Sequence, residues 1–235
     1  MRRMLALLCA AVLLAAPAAA LCGAAVPTGG GAPSGYVALT FDDGPSGQVT
    51  EDFLAELERR GAACTFFICG YRMEDFPTDL TAYAAHGHEL GVHGWSHQYL
   101  RHLDEAALTV ELDDTALMIE ELSGIRPRWF RPPGGLYDQT VCDTAARLDL
   151  AIALWSVDPE DWNHRTQAQI VDTILSQTGD GDVVLLHDIF PASRAAALEL
   201  VDALQARGYA LVTLSQLAAA KGSAADPGAV YSCFG

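Results

Sequence analysis

Basic residues are scarce in this chain: 14 Lys and Arg stand against 30 Asp and Glu, a formal net charge of −16. That balance excludes a surface that grips phosphate backbones or anionic membranes, because both need a basic footprint. An acidic excess is usually a solvated surface, and it is compatible with holding a cation. Beyond the N-terminus there is no second long apolar run, so no further membrane span is expected. The six cysteines contain no Cys-x-x-Cys pair, which argues against a thiolate zinc site. No fixed-period repeat or low-complexity tract is present, so no repeat architecture is indicated. What is plentiful is apolar: 51% of the 235 residues are hydrophobic and 19% charged. One domain with a sizeable core fits that length and composition.

The first segment stands apart from the fold. Arg2 and Arg3 precede an apolar run from Met4 to Leu21, and Ala18 and Ala20 offer a small-residue cleavage site. Residues 1–24 therefore read as a secretory signal peptide, with an uncleaved N-terminal anchor as the alternative. Residues 25–35, rich in Gly, Pro and Ser, read as a flexible linker. A folded domain is expected over 36–220 and a C-terminal tail over 221–235. The expected location is outside the cytoplasm, with any membrane contact made only through the N-terminal segment. Export permits disulfides. Cys9 would leave with the signal, while Cys64, Cys69, Cys142 and Cys233 would remain, along with Cys22 if cleavage falls before it. Cys64 and Cys69 lie an odd number of positions apart in a strand-like run, so they face opposite sides and cannot bridge each other.

From Gly35 onward, short β-type runs alternate with helical patterns. The strand-like runs are Tyr36–Phe41, Ala63–Cys69, His88–Val92, Arg128–Arg131, Ile152–Val157, Val183–His187 and Ala210–Leu214. Between them, Val49, Phe53, Leu54 and Leu57 share a helical face that Gly61 stops, and Leu80–Ala85 is helical. The longest helix is expected from Asp104 to Leu122, with Leu108, Leu112, Ala116 and Ile119 at helical spacing and Gly124 just past its end. Further helices are expected near 138–148, 166–177, 193–206 and 215–220. Alternating β and α elements predict parallel strands joined by helical crossovers. The expected fold is α/β, a distorted (β/α) barrel of about seven parallel strands, which would place functional groups at the C-terminal strand ends.

Polar clusters do fall at those ends. The first strand runs into Asp42-Asp43-Gly44-Pro45, which taken alone is an ordinary turn. The third leads to His93-Gly94-Trp95-Ser96-His97, whose two imidazoles at i and i+4 could share a metal. Together with an acid from another strand end they would give a two-nitrogen, one-oxygen set that suits a transition ion better than calcium. The fourth enters Arg131-Pro132-Pro133-Gly134-Gly135, stiff in its prolines and open to close backbone approach at its glycines. The fifth passes through Trp155 and Asp158 to Asp161-Trp162, and the sixth delivers His187 after a wholly apolar run. His86, His88, His102 and His164 lack such a setting and read as surface or structural residues. Five clusters on five different strand ends form a pattern that chance rarely gives.

This order of motifs resembles the polysaccharide deacetylase (NodB-homology) family, carbohydrate esterase family 4. The matching segments are TFDDGP at 40–45, H-x3-H at 93–97, RPPGG at 131–135, DPEDW at 158–162 and LLH at 185–187. The resemblance implies a metal-dependent hydrolase of acetyl groups on sugar polymers. By that resemblance Asp43, His93 and His97 would hold Zn2+, or Co2+ or another divalent transition metal. Asp42 would act as general base with Arg131 orienting it, and His187 as general acid tuned by Asp161. Gly134, next to Pro133, would offer a backbone N–H to the oxyanion, and Trp162 and Leu185 would wall the acetyl pocket. Two positions depart from the family pattern: the hydroxyl usual after the first His is Gly94 here, and the aromatic usual in the proline loop is Gly134.

The expected partner is an acetylated glycan such as peptidoglycan or chitin-like oligomers, with no nucleic acid, and the protein itself is expected to be a monomer. An O-acetyl esterase on acetylated xylan and a non-catalytic glycan-binding module are the alternatives. A glycosidase is excluded by adjacency, because Asp42 and Asp43 cannot straddle a sugar at the roughly 5–10 Å that such carboxylate pairs need.

Overall fold

The computed structural model describes residues 32–47, 49–77 and 79–235. Residues 1–24, expected from sequence to be a signal peptide and containing Cys9 and Cys22, and the part of the expected linker up to residue 31 lie outside the described residues, as do the side chains of Val49, Thr50 and Asp79.

Eight strands alternate with nine α-helices among the described residues. The strands are β1 (Gly35–Gly44), β2 (Thr65–Ile68), β3 (Glu89–Val92), β4 (Trp129–Phe130), β5 (Ala151–Ala153), β6 (Val183–His187), β7 (Tyr209–Leu211) and β8 (Val230–Tyr231). The helices are α1 (Val49–Arg59), α2 (Gly70–Asp75), α3 (Asp79–Ala85), α4 (Glu105–Thr109), α5 (Thr115–Ser123), α6 (Gln139–Arg147), α7 (Gln167–Gln177), α8 (Pro191–Ala206) and α9 (Leu214–Ala220). Seven strands answer the seven expected runs. The eighth lies in the stretch 221–235 that reads from sequence as a tail.

All strand pairs in the sheet are parallel, in the order β6-β1-β2-β3-β4-β5-β8, with β7 paired to the start of β1. The sheet curls toward closure after β5, where Val157 bridges Val184 of β6 and the Leu185 N–H donates to the Val157 carbonyl at 2.9 Å. The result is the expected distorted (β/α) barrel.

Strand parity sorts the side chains into two cores. Val37, Leu39 and Phe41 of β1 pack outward in one cluster with helix residues such as Leu54, Leu57, Leu200 and Val201. Ala38 faces the other way, into a smaller inner cluster with Phe67, Trp129, Ala153, Val183 and Phe234. Thr40, Asp42 and Arg131 are buried polar residues with the same inward parity, so the barrel interior turns from apolar to polar toward the C-terminal strand ends.

The predicted long helix is one continuous rod, but it is not regular. Asp104 caps it by accepting from the Ala107 N–H at 2.9 Å, and Gly124 ends it with φ 75°. Between α4 and α5, Val110–Asp114 widens into a π turn. Leu108, Leu112, Ala116 and Ile119 are buried as their spacing demands. All four described cysteines are free thiols, so the disulfide framework that export would permit is not used among them.

Candidate active site

The register of β1 against β6 builds the first half of the site. Thr40 pairs with Leu185 and Asp42 with His187, so both residues of each pair share the inward face. Asp42 is almost fully buried, and its Oδ1 accepts from the Arg131 Nη1 at 2.7 Å. Arg131 is itself wholly buried inside the barrel. Its other donors reach the Thr40 hydroxyl at 2.9 Å and the Ala153 and Leu154 carbonyls at 3.2 and 2.9 Å. The guanidinium also lies over the Phe67 ring, 4.2 Å from its centroid. An unpaired guanidinium would be costly in such a place, and this one has a partner on every side.

Asp43 leaves the strand with φ 70°, a left-handed backbone uncommon for a non-glycine residue, and turns its carboxylate away from Arg131. Its Oδ1 lies 3.5 Å from His93 Nε2 and 3.0 Å from His97 Nε2. Burial alone would raise the Asp43 pKa, but the His97 hydrogen bond and the charges of His93, His97 and His187 outweigh it and hold the carboxyl at about 2. Burial pulls His93 down and so favours its neutral ring. The hydrogen bond to Asp43 pushes His97 up.

One ligand atom from each of Asp43, His93 and His97 falls within 4.8 Å of the others, a cluster able to hold a metal ion. The surroundings fit that use. His93 Nδ1 faces the Arg131 carbonyl at 2.8 Å, which places its proton on that side and leaves the Nε2 lone pair turned toward Asp43. A neutral imidazole with one nitrogen fixed, a second imidazole and an ionised carboxylate form a donor set suited to a divalent transition ion.

The loop carrying His97 is held from below by Glu111, in the π turn. Glu111 Oε2 accepts from the Trp95 and Ser96 N–H groups at 2.7 and 2.9 Å, and Oε1 from the Ser96 hydroxyl and the Gln98 amide at 2.7 Å each. Burial would raise the Glu111 pKa, but these donors together lower it. Gly94, with φ 81°, runs over this carboxylate, and a Cβ there would stand 3.1 Å from Oε2.

His187 closes the other side. Its Nδ1 meets Asp161 Oδ1 at 2.7 Å, while Asp161 Oδ2 accepts from the His187 N–H at 2.8 Å and the Ser193 hydroxyl at 2.5 Å. Burial would lower the His187 pKa, but the Asp161 hydrogen bond and the charges of Asp42, Asp161 and Asp43 raise it to about 9. The ring is therefore protonated at neutral pH with its Nε2 free to donate. Just beyond it, burial raises the Asp188 carboxyl to about 7, and its Oδ1 has no partner.

These groups meet in one open cleft of about 470 Å³, lined by Asp42, Asp43, His93, His97, Gly134, Leu185 and His187 with Tyr99, Trp155, Asp158 and Trp162. Leu185 is buried in its wall, whereas Trp162 is 54% exposed and stands at the rim. Pro133 is buried and does not line the cleft; it shapes the turn that presents Gly134. Sequence reasoning does not reach Tyr99, Glu111, Ser193 or Asp188. For Glu111 a signal exists: a carboxylate three residues after Leu108 and four before Thr115 sits on the buried face of its helix.

A family model described as polysaccharide deacetylase matches residues 29–153. The chain belongs to the polysaccharide deacetylase family. It is 41% identical over 182 residues to the peptidoglycan-N-acetylmuramic acid deacetylase PdaC of Bacillus subtilis, a match covering 77% of this chain and 38% of that protein. The solved structure of PdaC superposes with a TM-score of 0.74 at 40% identity, covering 80% of this chain and 92% of that one. A peptidoglycan-N-acetylglucosamine deacetylase of Bacillus cereus is 33% identical over 77% of this chain and 87% of its own length. A family 4 acetyl xylan esterase from Clostridium thermocellum, solved with a cobalt ion, reaches a TM-score of 0.78 at 29% identity, covering 84% and 98% of the two chains. The chain thus spans only 38% of the length of the curated PdaC protein, and the relatives in this polysaccharide deacetylase family differ in their substrates.

Proposed function

We propose that this chain is a metal-dependent hydrolase that removes N-acetyl groups from a glycan such as peptidoglycan or a chitin-like oligomer. The observation that carries this reading is the convergence of Asp43, His93 and His97 beside two separately buttressed groups, Asp42 on Arg131 and His187 on Asp161. A divalent ion such as zinc or cobalt, bound by those three ligands, would supply Lewis-acid polarisation of the acetyl carbonyl and make a nearby water more acidic.

The chain's own residues divide the rest of the work. Asp42 keeps Oδ1 on Arg131 and has Oδ2 left to accept a proton from the attacking water. The Gly134 N–H, in a turn with φ 64°, donates to the oxyanion that forms on the acetyl group. His187, protonated at neutral pH, gives its Nε2 proton to the departing amine. Leu185 walls the acetyl methyl from water, and Trp162 borders the mouth. We place this activity outside the cytoplasmic membrane, on the pattern of the N-terminal segment and the glycans named for the relatives. Among the described residues no helix is long and apolar enough to cross a membrane.

The test is acetate release from chitin oligomers, peptidoglycan and acetylated xylan. Chelator should abolish it, and zinc or cobalt should restore it. Asp42→Asn should retain the fold and the metal and lose about 10²–10⁴ in kcat. Full turnover in that variant would overturn the base assignment, and acetate release indifferent to chelator would overturn the metal reading.

A further inference from the structure

Two large aromatic rings stand unusually open beside the cleft. Tyr99 is 67% exposed and Trp162 54%, and both line it. Neither packs into the core, so burial does not explain them. Tyr99 lies two residues beyond His97, and its ring reaches over the loop that carries Gly134. A Cβ on Gly134 would stand 3.0 Å from Tyr99 Cε1. Gly134 also holds φ 64°, where a side chain would be strained. The proline loop is bare here, and the ring from the neighbouring loop occupies the space.

The chemistry around Tyr99 narrows what it can meet. The cleft is lined by Asp42, Asp43 and Asp158 and by no Lys or Arg side chain, so apart from the metal site and His187 nothing in it favours an anionic group, and nothing beside Tyr99 on the rim does. An exposed ring face bordered by carboxylates matches a pyranose, which has C–H groups on its faces and hydroxyls around its edge. We infer that Tyr99 is a specificity-determining residue that stacks on an uncharged sugar ring adjacent to the one being deacetylated, so that the site takes a multi-ring neutral glycan rather than a single sugar. This rests on the hydrolase reading for the reaction, but not for the binding.

Two measurements test it. In the first, acetate release is followed on N-acetylglucosamine and on its tri- and pentasaccharides. Tyr99→Ala should raise KM for the pentasaccharide about tenfold with kcat within twofold, leave the metal content unchanged, and flatten the dependence of kcat/KM on chain length. Tyr99→Phe should behave as the native chain, since it keeps the ring and loses only the hydroxyl. In the second, pentasaccharide affinity is titrated in Asp42→Asn with and without Tyr99→Ala, and the second substitution should weaken it about tenfold.

An unchanged KM and an unchanged affinity in Tyr99→Ala would overturn the inference, as would a loss in Tyr99→Phe equal to that in Tyr99→Ala. If the native chain binds the pentasaccharide through Tyr99 and yet releases no acetate with any metal, the hydrolase reading fails and the stacking role stands.

Discussion

At the scale of single residues, the site rests on giving similar side chains different neighbours. Asp42 and Asp43 are adjacent in sequence, yet Asp42 is held by a buried guanidinium at 2.7 Å, with His93 farther off at 3.6 Å, whereas Asp43 lies against two imidazoles at 3.5 and 3.0 Å. The left-handed backbone at Asp43 lets both carboxylates line one cleft, because in a regular strand consecutive side chains would point to opposite faces. His187 is likewise made by its partner. Burial lowers its pKa, and the Asp161 hydrogen bond reverses that effect.

Asp161→Asn removes the opposing charge while the burial remains, so the imidazolium becomes harder to keep and the pKa must fall. The high-pH limb of kcat, which marks loss of the His187 proton, should move to lower pH by one unit or more, so that kcat falls more at pH 8 than at pH 6. The native limb should itself lie below 9, because a divalent cation in the cleft adds positive charge near the ring. A pH–rate profile on the pentasaccharide decides the matter; an unmoved alkaline limb in Asp161→Asn would show that His187 is not the group being titrated.

At the scale of elements, what the sequence makes legible follows from periodicity. The apolar runs of β1 and β6 and the stripe Leu108, Leu112, Ala116 and Ile119 announce themselves, since burial enforces a period of two or of nearly four. The paired histidines and the carboxylates at the strand ends are legible for a different reason, as chemistry-bearing residues in a fixed order along the chain. The π turn is not legible. One extra residue in a helical turn leaves the apolar spacing on either side intact, and only the carboxylate it turns inward betrays it.

That turn aims Glu111 under the His93–His97 loop, where four donors converge on its two oxygens. Here Gly94 has no side chain to brace the loop, so the support comes from outside it. Glu111→Ala should leave the circular dichroism spectrum native and weaken metal affinity about 10–100-fold in a chelator-competition titration, the range expected for groups that orient metal ligands. Metal affinity equal to that of the native chain would show that the loop holds its shape without this carboxylate.

At the scale of the whole molecule, the barrel needs stoppers at the end opposite the cleft, and the chain supplies one from its C-terminus. β8 pairs with β5, Cys233 bridges Asp182 at the start of β6, and the Phe234 N–H donates to the Gly181 carbonyl at 2.9 Å. The Phe234 ring then enters the inner cluster, edge-on to Trp129 at 6.1 Å between centroids and stacked on Tyr231 at 5.3 Å. A strand of two residues carries no periodicity, and a short stretch of Gly, Pro and Ser before it looks like an ending, so 221–235 reads from sequence as a tail. Its importance appears only when β5 and β6 are seen to part at this end and meet again near Val157. Phe234→Ala opens a cavity in a core already walled by Ala38, Ala151 and Ala153, small residues with no slack to fill it. It should cost about 3 kcal/mol and lower the midpoint of thermal unfolding accordingly. The residues proposed to hold the metal, Asp43, His93 and His97, lie at the far strand ends, so metal content and kcat at a temperature below that midpoint should stay native. A loss of metal in step with stability would mean that the two ends of the barrel are one cooperative unit, with the inner column from Phe234 through Trp129 to Arg131 transmitting the change.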